Sequence, residues 1–245
     1  MIEIHPLLGI GEVYPGDDLA EMLRTTLVQQ GLEPRNHDVL VVTQKVVSKA
    51  EGRFFSLAEA TPGPEALRVA GLCRKDPRLV ELVLDEAEAV VRAVPHVLIT
   101  RHRLGHVMAN SGIDQSNIGA GEQERVLLLP QDPDASAAAL ASALGMAVVI
   151  SDSFGRPWRM GVVAVAIGAA GLPALCDRRG ETDRDGRVLE VTQVALADMI
   201  ATAANLATGE GAEGIPAALL RGLSFSGQPR PAADLVRPLA EDLFR

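Results

Sequence analysis

Two aspartates stand where apolar runs of this chain turn polar. Asp152 follows Ala147-Val148-Val149-Ile150 and is flanked by Ser151 and Ser153, and Asp114 lies in "NSGIDQSN" among amide and hydroxyl side chains. A few carboxylates beside neutral oxygens are the donors a hard cation such as Mg2+ takes, with water and substrate phosphates completing its shell. Taken singly, each aspartate is equally an ordinary turn former. They become a site if the fold brings them together. Cations stand nearby: Lys45, Lys49 and Arg53 in "TQKVVSKAEGR" are spaced to share one helical face, and Arg156 and Arg159 follow Asp152. Such groups serve either as a solvated face or as contacts to phosphate and carboxylate oxygens.

Three other patterns narrow the chemistry. "GEGAEG" (209–214) matches G-x-G-x-x-G but follows a predicted helix and precedes a predicted strand, the reverse of the dinucleotide-binding order. It reads as a plain helix-to-strand turn or as a loop whose amides approach a phosphate. No G-x-x-x-x-G-K-[ST] sequence is present, which excludes a P-loop. His102 and His106 share i, i+4 spacing, but Gly105 and a strand-like context argue against a helical imidazole pair for a metal.

The elements that must position these residues follow from periodicity and punctuation. Helices are predicted over 17–31 with Asp17 as cap, over 78–93, over 132–145 with Asp134 as cap, and over 194–208. Strands are predicted over 38–45, 96–101, 126–130, 147–151 and 215–223. Residues 104–124 begin as strand and become a polar, glycine-rich loop, and 177–192 combine turn signals at Asp185-Gly186 with a strand. "TPGPEA" (61–66) reads as loop, and the small apolar run 160–171 suits close packing in a core or a dimer interface. Strands and helices without a regular βαβ rhythm predict an α+β fold.

Composition limits the partners. A net charge of −9 argues against a general polyanion binder, and 3% aromatic residues argue against base stacking, so no nucleic-acid role is expected. No apolar run approaches the roughly 20 residues that span a bilayer. "MIEIHPLLGIGEV" lacks a basic region followed by an apolar core. Cys73 and Cys176 are too far apart in sequence to suggest a disulfide framework or metal pair. A soluble cytoplasmic protein is expected.

Taken in order, "LLGIGEVYPGDDLA" (7–20), "DVLVVTQKVVSKAEGR" (38–53), "LITRHRLGHVMANSGIDQSNIG" (98–119), "LPQDPDASAAAL" (129–140), "VVISDSFGRPWRMG" (148–161), "AIGAAGL" (166–172) and "GEGAEGIPAALLRG" (209–222) resemble the coenzyme F420-0:γ-glutamyl ligase family. The resemblance implies a two-lobed α+β protomer in an intertwined homodimer. It also implies one ligase domain over 1–245, without the reductase-like second domain of the mycobacterial two-domain enzyme. The implied reaction is GTP-dependent addition of L-glutamate to F420-0 through an acyl phosphate, with later γ-linked rounds. Rival expectations are a ligase for a modified precursor or another carboxylate, and a non-catalytic nucleotide- or F420-binding protein.

Carried over by position, the resemblance makes Asp114, Asp152 and Lys49 catalytic. It assigns Asp114, Asp152, Ser153 and Glu210 to a divalent metal (Mg2+ or Mn2+), with K+ as a further candidate ion. The nucleotide contacts it implies are Ile10, Gly11, Glu12, Val13, Gln44, Lys49, Asn117 and the loop Gly209, Glu210, Gly211, Ala212, Glu213, Gly214 and Ile215. Gly11 stands where the family usually has proline and Gln44 where serine is common, which bears on loop rigidity and nucleotide selectivity. Charge and adjacency alone suggest Arg156 and Arg159 for the acidic F420-0.

Overall fold

The computed structural model describes residues 1–118 and 124–242, so Gly119–Gln123 of the expected polar loop, and the end of "AEDLFR", lie outside the described residues. In chain order the elements are β1 (Glu3–Pro6), α1 (Leu19–Gln29), β2 (Val39–Thr43), α2 (Gln44–Ala50), β3 (Phe54–Ser56), α3 (Pro64–Cys73), α4 (Pro77–Asp85), β4 (Ala87–Val94), β5 (Val97–His102) and β6 (Val107–Ala109). There follow β7 (Arg125–Leu127), α5 (Pro133–Leu144), β8 (Ala147–Arg156), β9 (Arg159–Ala170), β10 (Leu175–Asp177), β11 (Gln193–Ala195), α6 (Leu196–Thr208) and β12 (Ala217–Arg221). This is a mixed α and β chain, consistent with the expected α+β class.

The main sheet has the order β1-β12-β2-β8-β9. β2 and β8 run parallel at its centre, and the other pairs are antiparallel. Val39–Val42 and Ala147–Ile150 are buried on both faces, as central strands covered on both sides must be. One face packs against α1 and α5 through Leu23, Leu27, Leu140 and Ile150, and the other against α6 through Ile200, Ala201 and Ala204. A third cluster joins α3 and α4 to the smaller β3-β7 and β4-β5-β6 sheets around Val69, Val80, Val83 and Leu98. The run 160–171 lies almost wholly in strand β9, and its Ala164, Ala166, Ile167 and Ala169 are buried core beneath α5 and α6. A Cβ on Gly168 would lie 2.2 Å from the Pro133 carbonyl oxygen, so glycine lets α5 seat directly on the strand.

Several boundaries differ from the sequence expectations. The helix predicted over 78–93 ends at Asp85, and Ala87–Val94 instead pairs with β5. Two adjacent β-branched residues, Val90 and Val91, favour an extended partner over a further helical turn. β2 stops at Thr43 and a helix begins at Gln44, while β8 runs on through the polar residues to Arg156 as one arm of a hairpin. "TPGPEA" leads into α3, with Pro64 at its first position, where the missing N–H costs nothing. The caps are shifted: Asp18 accepts the Glu21 amide and Asp132 the Ala135 amide. Asp17 accepts from the Tyr14 amide. The Asp134 carboxylate accepts from the amides of Ala169, Ala232 and Ala233 and so ties α5 to β9 and the C-terminal segment. Within 177–192 the turn at Asp183–Gly186 forms, but the strand is reduced to a single bridge between Thr182 and Val188.

Candidate active site

The site opens at the carboxyl ends of the parallel pair β2 and β8, where open sheets generally leave a ligand crevice. Thr43 pairs with Ser151, so the next residues, Gln44 on α2 and Asp152 on β8, stand side by side. β12 begins at the same edge: the Thr43 amide donates to the Pro216 carbonyl at 2.9 Å, which brings the glycine-rich turn 209–214 to this end of the sheet. The smaller sheets deliver Asp114, whose backbone exchanges two 2.9 Å hydrogen bonds with Leu127. It follows a turn in which Asn110, Ser111 and Gly112 all have positive φ, held by the buried Ser111 hydroxyl on Thr100 and the Val83 carbonyl. A cavity of about 900 Å3 results, a size suited to a nucleotide or cofactor.

Every residue expected at the metal and nucleotide positions lines this cavity: Ile10 to Val13, Gln44, Lys49, Asp114, Asn117, Asp152, Ser153 and 209–215. Lys45 lines it too and was not carried into the expected site, although its i, i+4 spacing with Lys49 was visible in the sequence. Arg53 leaves the shared face: it lies beyond α2 and bonds to the Leu129 carbonyl and Glu86. Arg156 and Arg159 do not line the cavity. Arg156 donates to the Gly161 and Met160 carbonyls of its own hairpin, and Arg159 is exposed near its tip. Asn205 was not anticipated. On the last turns of α6 it donates to the Gly209 carbonyl at 3.2 Å, and its polarity in an alanine-rich helix was the available signal.

The charges divide into neighbouring groups. Gln44 donates to Asp114 Oδ2, and Lys45 Nζ lies 3.4 Å from Asp114 Oδ1 and donates to the Ser116 carbonyl at 3.1 Å. Burial nonetheless raises the Asp114 pKa above the ordinary carboxylate range. Asp152 is pushed up to about 7, first by burial and then by the negative charge of Asp114, with Glu210 adding to it. The Ser153 hydroxyl donates to both Glu210 oxygens, at 2.7 and 2.8 Å. Lys49, itself buried, donates to Glu12 Oε1 on the N-terminal turn. Asn117 reaches across to the Gly211 carbonyl at 3.1 Å.

Among the described residues no three His, Cys, Asp or Glu side chains converge tightly enough to hold a metal unaided. The donor chemistry still fits a divalent cation: Asp114 and Asp152 are desolvated carboxyls that repel one another, and each would be stabilised as an anion by a cation between them. Mg2+ characteristically takes one or two carboxylates and leaves its other positions to water and phosphate. Ser153 and Glu210 would have to exchange their mutual hydrogen bond for such a role. His102 is held in a structural position, where its Nδ1 accepts from the Leu104 amide at 3.0 Å and its Nε2 faces Glu86 at 3.2 Å.

Comparison with known proteins identifies the family. The model of the F420-0:gamma-glutamyl ligase family matches residues 8–222. A coenzyme F420:L-glutamate ligase of Methanopyrus kandleri is 46% identical over 255 aligned positions, covering 100% of this chain and 98% of that protein. Proteins of the same name from Methanothermobacter thermautotrophicus and Natronomonas pharaonis are 42% and 45% identical, covering 100% and 89% of this chain and 97% and 85% of their own lengths. The chain therefore belongs to the F420-0:γ-glutamyl ligase family.

Proposed function

We propose that this chain joins L-glutamate to coenzyme F420-0, using GTP to activate the acceptor carboxylate. The observation that carries the reading is the convergence, in one cavity, of Asp114 and Asp152 with Lys45, Lys49 and the glycine-rich turn. A carboxylate is a poor electrophile. Its oxygen attacks the γ-phosphorus of GTP, GDP departs, and an acyl phosphate results. The glutamate nitrogen, having lost a proton, then attacks the acyl carbon; the carbon–oxygen bond to phosphate breaks and inorganic phosphate leaves. Repetition on the new terminal γ-carboxylate lengthens the tail.

Phosphoryl transfer of this kind is chiefly positioning and charge neutralisation. Lys45 and Lys49 supply positive charge at the phosphates, and the turn 209–214 supplies backbone amides. Asp114 and Asp152 would hold a divalent cation, Mg2+ or Mn2+, with Ser153 and Glu210 beside it; when bound, that cation offsets the negative charge of the transferring phosphoryl oxygens. Ile10 to Val13 and Asn117 enclose the nucleotide from opposite edges. Arg156 and Arg159 lie outside this cavity, and Arg156 would have to give up its bonds to the hairpin carbonyls to reach the acidic F420-0.

Mass spectrometry of F420-0 incubated with the protein, GTP, L-glutamate and Mg2+ or Mn2+, with Asp152→Asn alongside, tests this reading. Growth by whole glutamyl units, absent in the variant, is the expected result. No growth by a folded protein that still binds GTP would move the reading to a different acceptor. A homodimer is proposed with this function.

A further inference from the structure

The glycine-rich turn between α6 and β12 holds an anion of its own. The Glu213 side chain folds back so that Oε2 accepts the Gly211 amide at 2.7 Å. Its carboxyl group lies so close over Gly209 that a Cβ there would stand 2.3 Å from Cδ, and a Cβ on Gly211 would stand 3.4 Å from Oε2. The carboxylate thus occupies the space that two residues without side chains leave open, at the amide of a residue that lines the cavity. Gly209 has φ 68 and ψ −175, a backbone region essentially restricted to glycine.

Other groups fix the turn from its carbonyl side. Asn205 holds the Gly209 carbonyl and Asn117 the Gly211 carbonyl, so these two ties do not depend on Glu213. Glu213 is exposed, and an exposed glutamate ordinarily directs its charge into water. Here it turns onto a backbone donor in a cavity that already carries Asp114, Asp152 and Glu210. A phosphate oxygen would make the same hydrogen bond to the same amide.

We propose that Glu213 sets the affinity of the site for phosphate-bearing ligands by occupying the Gly211 amide until a phosphate oxygen replaces it. The inference rests on the nucleotide reading above. It makes binding an exchange of one anion for another, which weakens retention of the diphosphate product as well as of free phosphate.

Titration calorimetry of GDP and of pyrophosphate, each with Mg2+, into the full chain tests this, comparing Glu213→Asp and Glu213→Ala with the unmodified protein. Aspartate keeps the charge but is one methylene shorter than the reach to Gly211; alanine removes both charge and reach. Both variants are expected to bind GDP and pyrophosphate more tightly, by about three- to tenfold, as expected for removal of one charge-assisted competitor. Weaker or unchanged binding in both would make Glu213 a strut or a bystander and overturn the inference. Tightening in Glu213→Ala alone would assign the effect to charge rather than occupancy and overturn it too. If the unmodified protein binds neither ligand, the nucleotide reading falls and this inference with it; if it binds both and neither variant gains, this inference alone falls.

Discussion

Thr43 and Ser151 lie opposite one another at the carboxyl ends of adjacent parallel strands. That pairing sets Gln44 and Asp152, the residues that follow them, at one height on the sheet edge. Gln44 then bonds Asp114 from the smaller sheets, and the charge of Asp114 helps raise Asp152. Two carboxylates separated by 38 residues are thereby coupled through one strand register.

The coupling predicts opposite effects on stability and activity. Asp152 has a folded-state pKa raised to about 7, so the unfolded chain binds fewer protons between about pH 4 and 7 and stability falls as pH rises through that window. Above pH 7 the ionised carboxylate is a standing penalty to the metal-free fold. Asp152→Asn should therefore stabilise metal-free protein at pH 8 by about 1–2 kcal/mol, after discounting for partial solvent contact, and the gain should shrink toward pH 4. Ligation should fall by at least about 100-fold if this group helps neutralise the transferring phosphoryl. Thermal denaturation in chelator beside the glutamylation assay reads both, and a destabilised Asp152→Asn at pH 8 would contradict the argument.

Glu86 carries the opposite sign. His102, Arg103 and Arg53 surround it and hold its pKa down to about 2. Its contribution is present above the unfolded value near 4.5 and is lost as pH falls through about 2. Removing one member of a partly buried ionic cluster leaves the others unpaired, so Glu86→Gln should cost about 2–3 kcal/mol at pH 7. It should also flatten the acid limb of the stability curve below pH 4.5, which chemical denaturation at several pH values would measure.

Packing gives a third prediction. Alanine at 168 would drive a Cβ into the Pro133 carbonyl, which belongs to helix backbone and cannot turn aside. Gly168→Ala should destabilise by about 2–3 kcal/mol, lowering the melting temperature by roughly 5–10 °C in a chain of this size. An unchanged melting temperature would mean that α5 does not sit on β9 as described.

Asn205 touches the turn rather than the reacting atoms, so its loss should appear in binding. Without its hydrogen bond to the Gly209 carbonyl the turn is free to shift its amides. Asn205→Ala should raise the KM for GTP by about tenfold while changing kcat little, the pattern of lost uniform binding. Glutamine at 205 would restore part of it. A fall in kcat at unchanged KM would place Asn205 in the chemistry instead.

The chemistry of the site was more legible than the geometry that assembles it. Asp114 and Asp152 were visible because each follows an apolar run, and the Lys45–Lys49 spacing read as one helical face. The overlong helix expected over 78–93 has a physical cause: α4 buries Leu79, Val80, Leu82 and Val83 at helical spacing, and only pairing with β5 turns the following residues into strand. Arg156 shows where adjacency in sequence gives little. Adjacency to Asp152 in sequence becomes distance along a hairpin, and local carbonyls take its guanidinium. Glu213 gave no local sign of turning inward, because that follows from the backbone of Gly209.

The β8–β9 hairpin bears on the proposed dimer. Beyond the sheet edge it presents Trp158 at 79% exposure, Met160 at 94% and Val162 at 48%. Trp158 also adopts φ 58, a conformation a bulky residue holds only when its turn is well determined by its surroundings. An apolar tip so built is better accounted for by a partner surface than by solvent. A second copy would bury the tip, and β9 would carry that contact back to the cavity through Ala164, which lines it. The double variant Trp158→Ser/Met160→Ser should therefore sediment as a monomer with a near-native circular dichroism spectrum, and the unmodified chain should sediment as a dimer. A dimer that survives both changes would move the interface away from the hairpin, and a monomeric unmodified chain would remove the proposed assembly.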